Sequence, residues 1–171
     1  MNLAFYTDPI DRLHQENAQF LKAQRWASMN FVPFGQDVER WTARLLRQMG
    51  YEVETTAHRH PFDLLVDGRI RVEVKGARLN YLAARRSYRY QAEIRNDSAE
   101  VVLLVCEDEF GLRHVFVLPA SVVRPGNVTI WNRDPVAYRG RWSPYLGAWG
   151  WLEALRQAQG AIQLGLLLDV G

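Results

Sequence analysis

Two carboxylates and one ammonium group lie close together in the stretch PFDLLVDGRIRVEVK, residues 61–75. Asp63 stands at the start of one apolar run, and Glu73 and Lys75 end a second run, with an Asp-Gly pair between the two runs. Carboxylate oxygens are the hard ligands that Mg²⁺ binds, and a lysine ammonium can orient a water molecule or stabilise developing negative charge. The stretch therefore contains the groups used in metal-assisted hydrolysis, provided that the fold brings them together.

The turn between the two runs determines whether these groups meet. Because successive side chains of a strand point to opposite faces, Glu73 and Lys75 share one face of the second run. A two-residue loop at 67–68 would place Asp63 among valines. A three-residue loop with Gly68 in the left-handed conformation places Asp63 beside the other two charges and leaves the aliphatic residues to the core. The pattern favours the three-residue loop.

The Glu-x-Lys motif alone also has a simpler interpretation, because an exposed salt bridge between Glu73 and Lys75, with Asp63 capping a turn, is common on an amphipathic hairpin. Glu39 adds to the case for a site. It lies at the edge of the apolar stripe of a predicted helix at 36–49, where its side chain can face the sheet. A glutamate at such a border is also often simply solvated.

The segment GARLNYLAARRSYRY, directly after Lys75, interleaves arginines with tyrosines. This mixture is expected where phosphates are neutralised and bases or sugars are stacked, and it is equally expected of a solvated loop with tyrosines docked on the core. As contacts with a nucleic acid, the candidates are Arg78, Arg85, Arg86, Arg89, Tyr81 and Tyr88.

The elements that position these residues follow from the hydrophobic pattern. Apolar residues recur at helical spacing over 36–49, and Gly50 supplies the stop. Six strand-like runs follow, and the fifth, which is continuously apolar, is predicted to be interior in a sheet. The runs are 51–56, 62–66, 70–75, 88–95, 101–106 and 114–118. Further helices are predicted from Asp8-Pro9 to about residue 26 and from Ser143-Pro144 to residue 160.

The order of helix, strands and helix predicts a single α/β domain over 1–171, with one central mixed five- or six-stranded sheet flanked by helices. We divide it into an N-terminal helical extension (1–34), a core (35–119) and a C-terminal extension with a helix (120–171). The apolar tail AIQLGLLLDV is predicted to be an edge strand or a subunit contact, and the sequence does not decide between them.

Composition agrees with one folded domain, because 48% of the 171 residues are hydrophobic and 12% are aromatic. The net charge is only +2, but the basic residues are nineteen Arg and two Lys. This bias suits bidentate phosphate contacts, and it is also explained by genomic base composition or a thermophilic host. A single cysteine, Cys106, excludes a disulfide framework and fits a reducing compartment. With no signal-peptide pattern and no membrane-length apolar run, we expect a cytoplasmic protein.

Phosphodiester hydrolysis requires oxygen ligands for Mg²⁺, a water in line with the leaving group, and positive charge near the anionic transition state. Asp63 and Glu73 are the predicted carboxylate ligands, and the backbone carbonyl of Val74 is a further one. Lys75 is predicted to orient or deprotonate the water, and Glu39 to hold a second metal through water.

Taken together, Glu39, Asp63 and Glu73-Val74-Lys75, with the helix that precedes them, resemble the PD-(D/E)xK nuclease superfamily, whose core is the restriction-endonuclease-like fold. The stretch GQDVERWTARLLRQMGYEV is similar to the opening of archaeal-type Holliday junction resolvases and of related intron-homing endonucleases. The resemblance covers about residues 35–119. The usual Pro-Asp pair is spread by one residue in Pro61-Phe62-Asp63.

The resemblance implies a metal-dependent DNA endonuclease, either structure-specific, as a Holliday junction resolvase is, or of the homing or restriction type. It implies that Asp63 and Glu73 bind Mg²⁺ (with Mn²⁺ as a substitute), that Lys75 is catalytic, and that Glu39 is the helix glutamate. Gln91 corresponds to a polar residue that some members carry on the next strand. DNA is the implied partner, and a homodimer or higher homo-oligomer the implied assembly. The alternative is a catalytically inactive DNA-binding or assembly module on the same fold.

Two other clusters have simpler interpretations. His58 and His60 stand at alternate positions, but no third nitrogen or sulfur ligand accompanies them, and we interpret them as part of a polar turn. The C-terminal aromatic residues are predicted to pack in the core or in a dimer contact rather than to stack on bases. These aromatic residues are Trp142, Tyr145, Trp149 and Trp151.

Overall fold

The structure, a computed structural model, describes residues 33–57, 60–95, 98–123 and 125–158. The predicted N-terminal helix, the apolar C-terminal tail and His58 lie outside these ranges. In the described part of the chain, no helix is long and apolar enough to cross a membrane.

The first described helix, α1, spans Phe34–Gln48 and confirms the helix predicted at 36–49. Its apolar stripe is buried completely, with Val38, Trp41 and Leu45 at 0% exposure. The helix stops two residues before Gly50. Gly50 has a φ of +89°, a backbone conformation that glycine adopts readily.

Eight strands follow within the described ranges, and five of them form the central sheet. They are β1 (Val53–Thr55), β2 (Leu64–Val66), β3 (Ile70–Arg78), β4 (Asn80–Leu82), β5 (Ser87–Ile94), β6 (Val101–Glu107), β7 (Arg113–Pro119) and β8 (Gly126–Ile130). The central sheet has the order β1-β2-β3-β6-β7. Among the described strands of this sheet, only the β3–β6 pair is parallel, so the sheet is mixed and the predicted α/β fold class is confirmed. The continuously apolar β6 lies in the interior of this sheet, as predicted.

The strand predicted at 88–95 does not join the central sheet. As β5 it forms a second, three-stranded sheet in the order β4-β5-β8. Alternate residues Tyr90, Ala92 and Ile94 are buried, so one face of this sheet packs against the core. The sequence analysis did not identify β4, which has three residues, or β8, which lies in the segment assigned to the C-terminal extension.

The molecule has three layers. Helix α1 and a second helix, α2, formed by residues 150–158, cover one face of the central sheet, where Val72 and Val74 are buried. The second sheet covers the other face, where Leu104 and Phe116 are buried. Helix α1 approaches β3 so closely that a Cβ on Gly76 would lie 2.8 Å from Cε1 of Phe34.

The predicted C-terminal helix begins later than expected. Ser143–Tyr145 form a single 3₁₀ turn, Leu146 forms a β-bridge with Phe116, and Gly147 has a φ of +61°. The bridge and the left-handed glycine prevent a continuous helix from residue 143, so α2 starts at residue 150.

The C-terminal aromatic residues mostly pack as predicted. Trp142 is buried, and Tyr145 packs beside it against the second sheet's core. Trp149 packs against the helix-side core, whereas Trp151 is 49% exposed.

Candidate functional site

The hairpin of β2 and β3 has the register that the sequence pattern favours. Val66 pairs with Ile70, so residues 67–69 form a three-residue loop. Gly68 has a φ of +68° there. Leu64 and Val72 are paired and fully buried beneath α1, which leaves the charged residues of β3 to the opposite face.

Asp63 lies just beyond the point where β2 stops pairing. Its backbone N–H donates to the carbonyl of Val72 at 3.0 Å, and its carbonyl accepts from the N–H of Thr56 at 3.0 Å. Its side-chain Oδ2 accepts a 2.7 Å hydrogen bond from the backbone N–H of Val74. The carboxylate therefore takes the position of a main-chain acceptor and is held between the two strands.

Glu73 and Lys75 project from the same face of β3 and form an ion pair. The Glu73 side chain is only 7% exposed, and that of Lys75 is 32% exposed. Burial raises the pKa of the Asp63 carboxyl; the Val74 N–H opposes this shift, the Glu73 carboxylate adds to it, and the Lys75 ammonium opposes it. We call these three residues the Asp63 cluster, in which two carboxylates face one ammonium.

Glu39 reaches the same region from α1. It is half-buried and lines, with Asp63, an open cleft of about 530 Å³ between the start of the helix and the end of β1. Thr55, Thr56 and His60 also line this cleft, whereas Glu73 and Lys75 do not. Asp63 is thus the member that connects the cleft to the ion pair on β3.

The donor set at the Asp63 cluster fits a magnesium ion that also binds a substrate oxygen. Within the described ranges, no group of three or more His, Cys, Asp or Glu side chains could hold a metal. Asp63 and Glu73 provide two carboxylates, and strand geometry places the carbonyl of Val74 on the same edge of β3 as its N–H, which donates to Asp63. Magnesium is commonly bound by one or two carboxylates together with waters and phosphate oxygens, so a third side chain is not required. Glu39 is not part of such a group, and His60 packs edge-on against Phe62.

The predicted nucleic-acid contacts lie mainly on the β4–β5 hairpin. Tyr81 and Tyr88 are paired across its strands, with ring centroids 5.0 Å apart, and are 50% and 37% exposed. Arg85 and Arg86 are exposed at its tip. Arg78 is separate from this group, at the exposed end of β3, where its guanidinium lies 4.1 Å from the ring centroid of Phe34.

Two residues that the sequence analysis missed join this surface. The guanidinium groups of Arg85 and Arg89 lie 5.2 and 5.5 Å from the ring centroid of Trp131, and that of Arg133 lies 5.4 Å from the ring of Tyr88. Trp131 and Arg133 lie in the stretch 131–133, which follows β8 directly. Their place on this surface could be predicted only by recognising β8 as a partner of β5.

The structure does not bring Gln91 to the carboxylates. Gln91 pairs with Thr129 of β8 and alternates with Tyr90 and Ala92, which face the central sheet. Its side chain therefore lies on the outer face of the second sheet.

A second charged cluster, also missed, lies at the other end of β3. The guanidinium of Arg113 is 4% exposed, donates from Nε to Glu107 at 2.7 Å, and pairs with Asp37 in the first turn of α1. Glu107 also accepts from Nε of Arg78 at 3.4 Å. We call these four residues the Arg113 cluster, which contains two arginines and two carboxylates.

Comparison with solved structures finds a similar fold in a bacterial homing endonuclease, I-Ssp6803I, with a TM-score of 0.57 and 20% sequence identity. The match covers 75% of this chain and 96% of that chain. No protein-family model and no curated protein matches the sequence. The three-layer α/β arrangement is therefore one that a homing endonuclease also has.

Proposed function

We propose that the protein is a metal-dependent DNA endonuclease of the PD-(D/E)xK type. The observation that carries this proposal is the Asp63 carboxylate, held at the end of β2 by the Val74 N–H and next to the Glu73–Lys75 ion pair. The similarity in fold to a homing endonuclease also supports it. A surface salt bridge does not explain why a second carboxylate is kept beside Glu73 at the cost of a raised pKa.

In this proposal Asp63, Glu73 and the Val74 carbonyl hold Mg²⁺, and Mn²⁺ substitutes for it. When bound, the metal supplies positive charge against the anionic transition state. The hydrogen bond from the Val74 N–H fixes one oxygen of Asp63 and leaves the other available to a ligand. The strand that supplies Glu73 also supplies the carbonyl, so the donors are positioned by one rigid element.

Lys75 orients the attacking water and stabilises charge on the phosphate, because its ammonium is partly exposed and is held in place by Glu73. Glu39 faces the cleft that Asp63 also lines, where it is placed to bind a second metal through water. The scissile phosphate enters this cleft, and the arginines and tyrosines of the β4–β5 hairpin hold the flanking backbone. Cutting both strands of a duplex requires two active sites, for which we propose a homodimer or larger homo-oligomer.

The experiment is a cleavage assay with purified protein on supercoiled plasmid, linear duplex and a four-way junction, in Mg²⁺, Mn²⁺ or EDTA. We expect cutting only with a divalent metal, and a loss of about 1,000-fold in rate for Lys75→Ala. If the junction is cut best, the enzyme is structure-specific, and discrete fragments from the linear duplex would indicate the homing or restriction type.

The matched control is Arg71→Ala, since Arg71 is an exposed cation on the same strand and face as Lys75 and pairs with Glu100. Absence of cleavage of all substrates with both metals would contradict the proposal, and DNA binding without cleavage would support an inactive binding module.

A further inference from the structure

The outer face of the second sheet is mainly polar, with Leu82 of β4 as an apolar member. Its partly buried members on β5 are Arg89 and Gln91, which stand opposite Asn80 of β4 and Thr129 of β8 respectively. The inner face of the same sheet is apolar and packs in the core. Amide, hydroxyl and guanidinium groups predominate on this face beside one carboxylate, Glu93, and the fold does not need them for stability, because it buries the other face.

One donor of Arg89 lacks a hydrogen-bond partner among the described residues. Its Nε is buried and has no hydrogen-bond acceptor in the described part of the chain. Its guanidinium lies near the ring of Trp131, and the side chain is partly exposed, so the terminal nitrogens are the donors that could contact a ligand. Glu93, the acid on this face, already pairs with Arg95 at 2.8 Å.

These side chains have the hydrogen-bonding chemistry that distinguishes base pairs. Arginine donates two hydrogen bonds to guanine, glutamine and asparagine pair with adenine, and the threonine methyl contacts that of thymine. Alternate residues on one face of a strand are about 6.8 Å apart, which matches two base-pair steps of about 3.4 Å. A two-stranded ribbon also fits the major groove of B-form DNA, whereas the major groove of an RNA helix is too narrow to read.

We infer that the outer face of the second sheet, with Arg89, Gln91 and Thr129 at its centre, reads base edges in the major groove of duplex DNA. The inference rests on the proposed function and adds sequence selectivity to it. Gln91 is then a specificity-determining residue. The arginines at the tip of the β4–β5 hairpin, Arg85 and Arg86, contact the backbone beside the groove and set the register of the protein on the duplex.

The test is to select bound duplexes from a library of 40-base-pair duplexes with a randomised centre. Ca²⁺ replaces Mg²⁺ in the buffer so that binding is measured without cleavage. The wild-type protein should enrich a defined sequence. In Gln91→Ala, the preference for the selected base over the other bases should fall about tenfold at one or two adjacent positions of that sequence. In Arg89→Ala, the same loss should occur at neighbouring positions. Controls are Gln48→Ala and Arg44→Ala, exposed residues of the same types on α1, which should leave the selected sequence unchanged.

The outcomes separate this inference from the proposed function. Wild-type protein that cuts DNA but enriches no sequence would overturn the inference and leave the nuclease proposal intact. Enriched sequences that are identical for the wild type, Gln91→Ala and Arg89→Ala would overturn it as well. Protein that neither cuts nor binds any duplex would overturn both. Thermal melting within about 2 °C of the wild type establishes that each variant is folded.

Discussion

The two charged clusters that share β3 differ in their charge balance. In the Arg113 cluster, two arginines neutralise two carboxylates, and the central guanidinium is almost completely buried. In the Asp63 cluster, one ammonium faces two carboxylates, and one of these has a raised pKa. In the first arrangement the charges pair with one another within the protein, so no bound ion is needed to balance them. The second retains excess negative charge in a partly buried place, and a bound cation would balance it.

The difference also concerns what each cluster connects. Arg113 joins the start of α1, through Asp37, to the paired strands β6 and β7. Its role is therefore to fix the helix against the sheet. Asp63 joins no helix; it closes the gap between β2 and β3 with a side chain. This contrast predicts that the first cluster governs stability and the second governs metal binding.

The largest effect is expected at Arg113. Replacing it with methionine should lower the free energy of unfolding by about 3 kcal/mol, because the carboxylates of Asp37 and Glu107 lose their shared cation. Urea denaturation followed by circular dichroism measures this change. Arg71→Met, which removes an exposed arginine, is the control and should leave the midpoint nearly unchanged. If Arg113→Met lowers the free energy of unfolding no more than Arg71→Met does, the Arg113 cluster does not stabilise the fold.

A smaller effect is expected from Mg²⁺ on the Asp63 cluster. At about ten times its dissociation constant, a metal that binds only the folded state adds about 1.4 kcal/mol, which raises Tm by about 3 to 5 °C. Thermal melting with Mg²⁺ against EDTA measures this shift without any catalytic readout. Asp63→Asn should abolish the shift, and Asp134→Asn, an exposed acid that caps a 3₁₀ turn elsewhere, should retain it. An equal shift in both variants would place the metal elsewhere.

The smallest effect is expected from Asp63→Asn in the absence of metal. Because the folded-state pKa of Asp63 is raised, its ionised form is less favourable in the folded protein, and this penalty is fully present above that pKa. The asparagine variant, whose side-chain oxygen can still accept from the Val74 N–H, should therefore be slightly more stable than the wild type at pH 8. The advantage should shrink as the pH falls through the raised pKa toward 3.8, the unperturbed value. Urea titrations of both proteins at several pH values measure this stability difference. If the asparagine variant is less stable than the wild type at pH 8, the pKa of Asp63 is not raised in the folded protein.

The hairpin that carries the Asp63 cluster could be predicted from the sequence because its information is local. Alternation of apolar and charged residues selects one register, and Gly68 permits the three-residue loop that this register requires. The helix α1 and the interior position of β6 were predictable for the same reason. Conversely, the start of α2 depends on a bridge between Leu146 and Phe116, which are far apart in sequence.

The second sheet illustrates what local patterns cannot supply. Its strand β5 was predicted correctly, but its partner β8 begins more than thirty residues after β5 ends, and a long-range pairing leaves no local trace. Because β8 was not predicted, the sequence did not indicate that Gln91 lies beside Thr129. It also did not indicate that Trp131 lies close to Arg85 and Arg89. The Arg113 cluster was missed likewise, because it joins α1, β3 and the β6–β7 pair, which are distant from one another in sequence.

The carboxylate of Asp63 acts as a stop at one end of the β2–β3 ladder, and this limits how the sheet can be redesigned. Extending β2 by main-chain pairing toward residue 62 would give the Val74 N–H a carbonyl partner and expel the acid from its place. A longer, more regular hairpin would then be gained only by losing the negatively charged pocket. Any stabilised variant must keep that strand short.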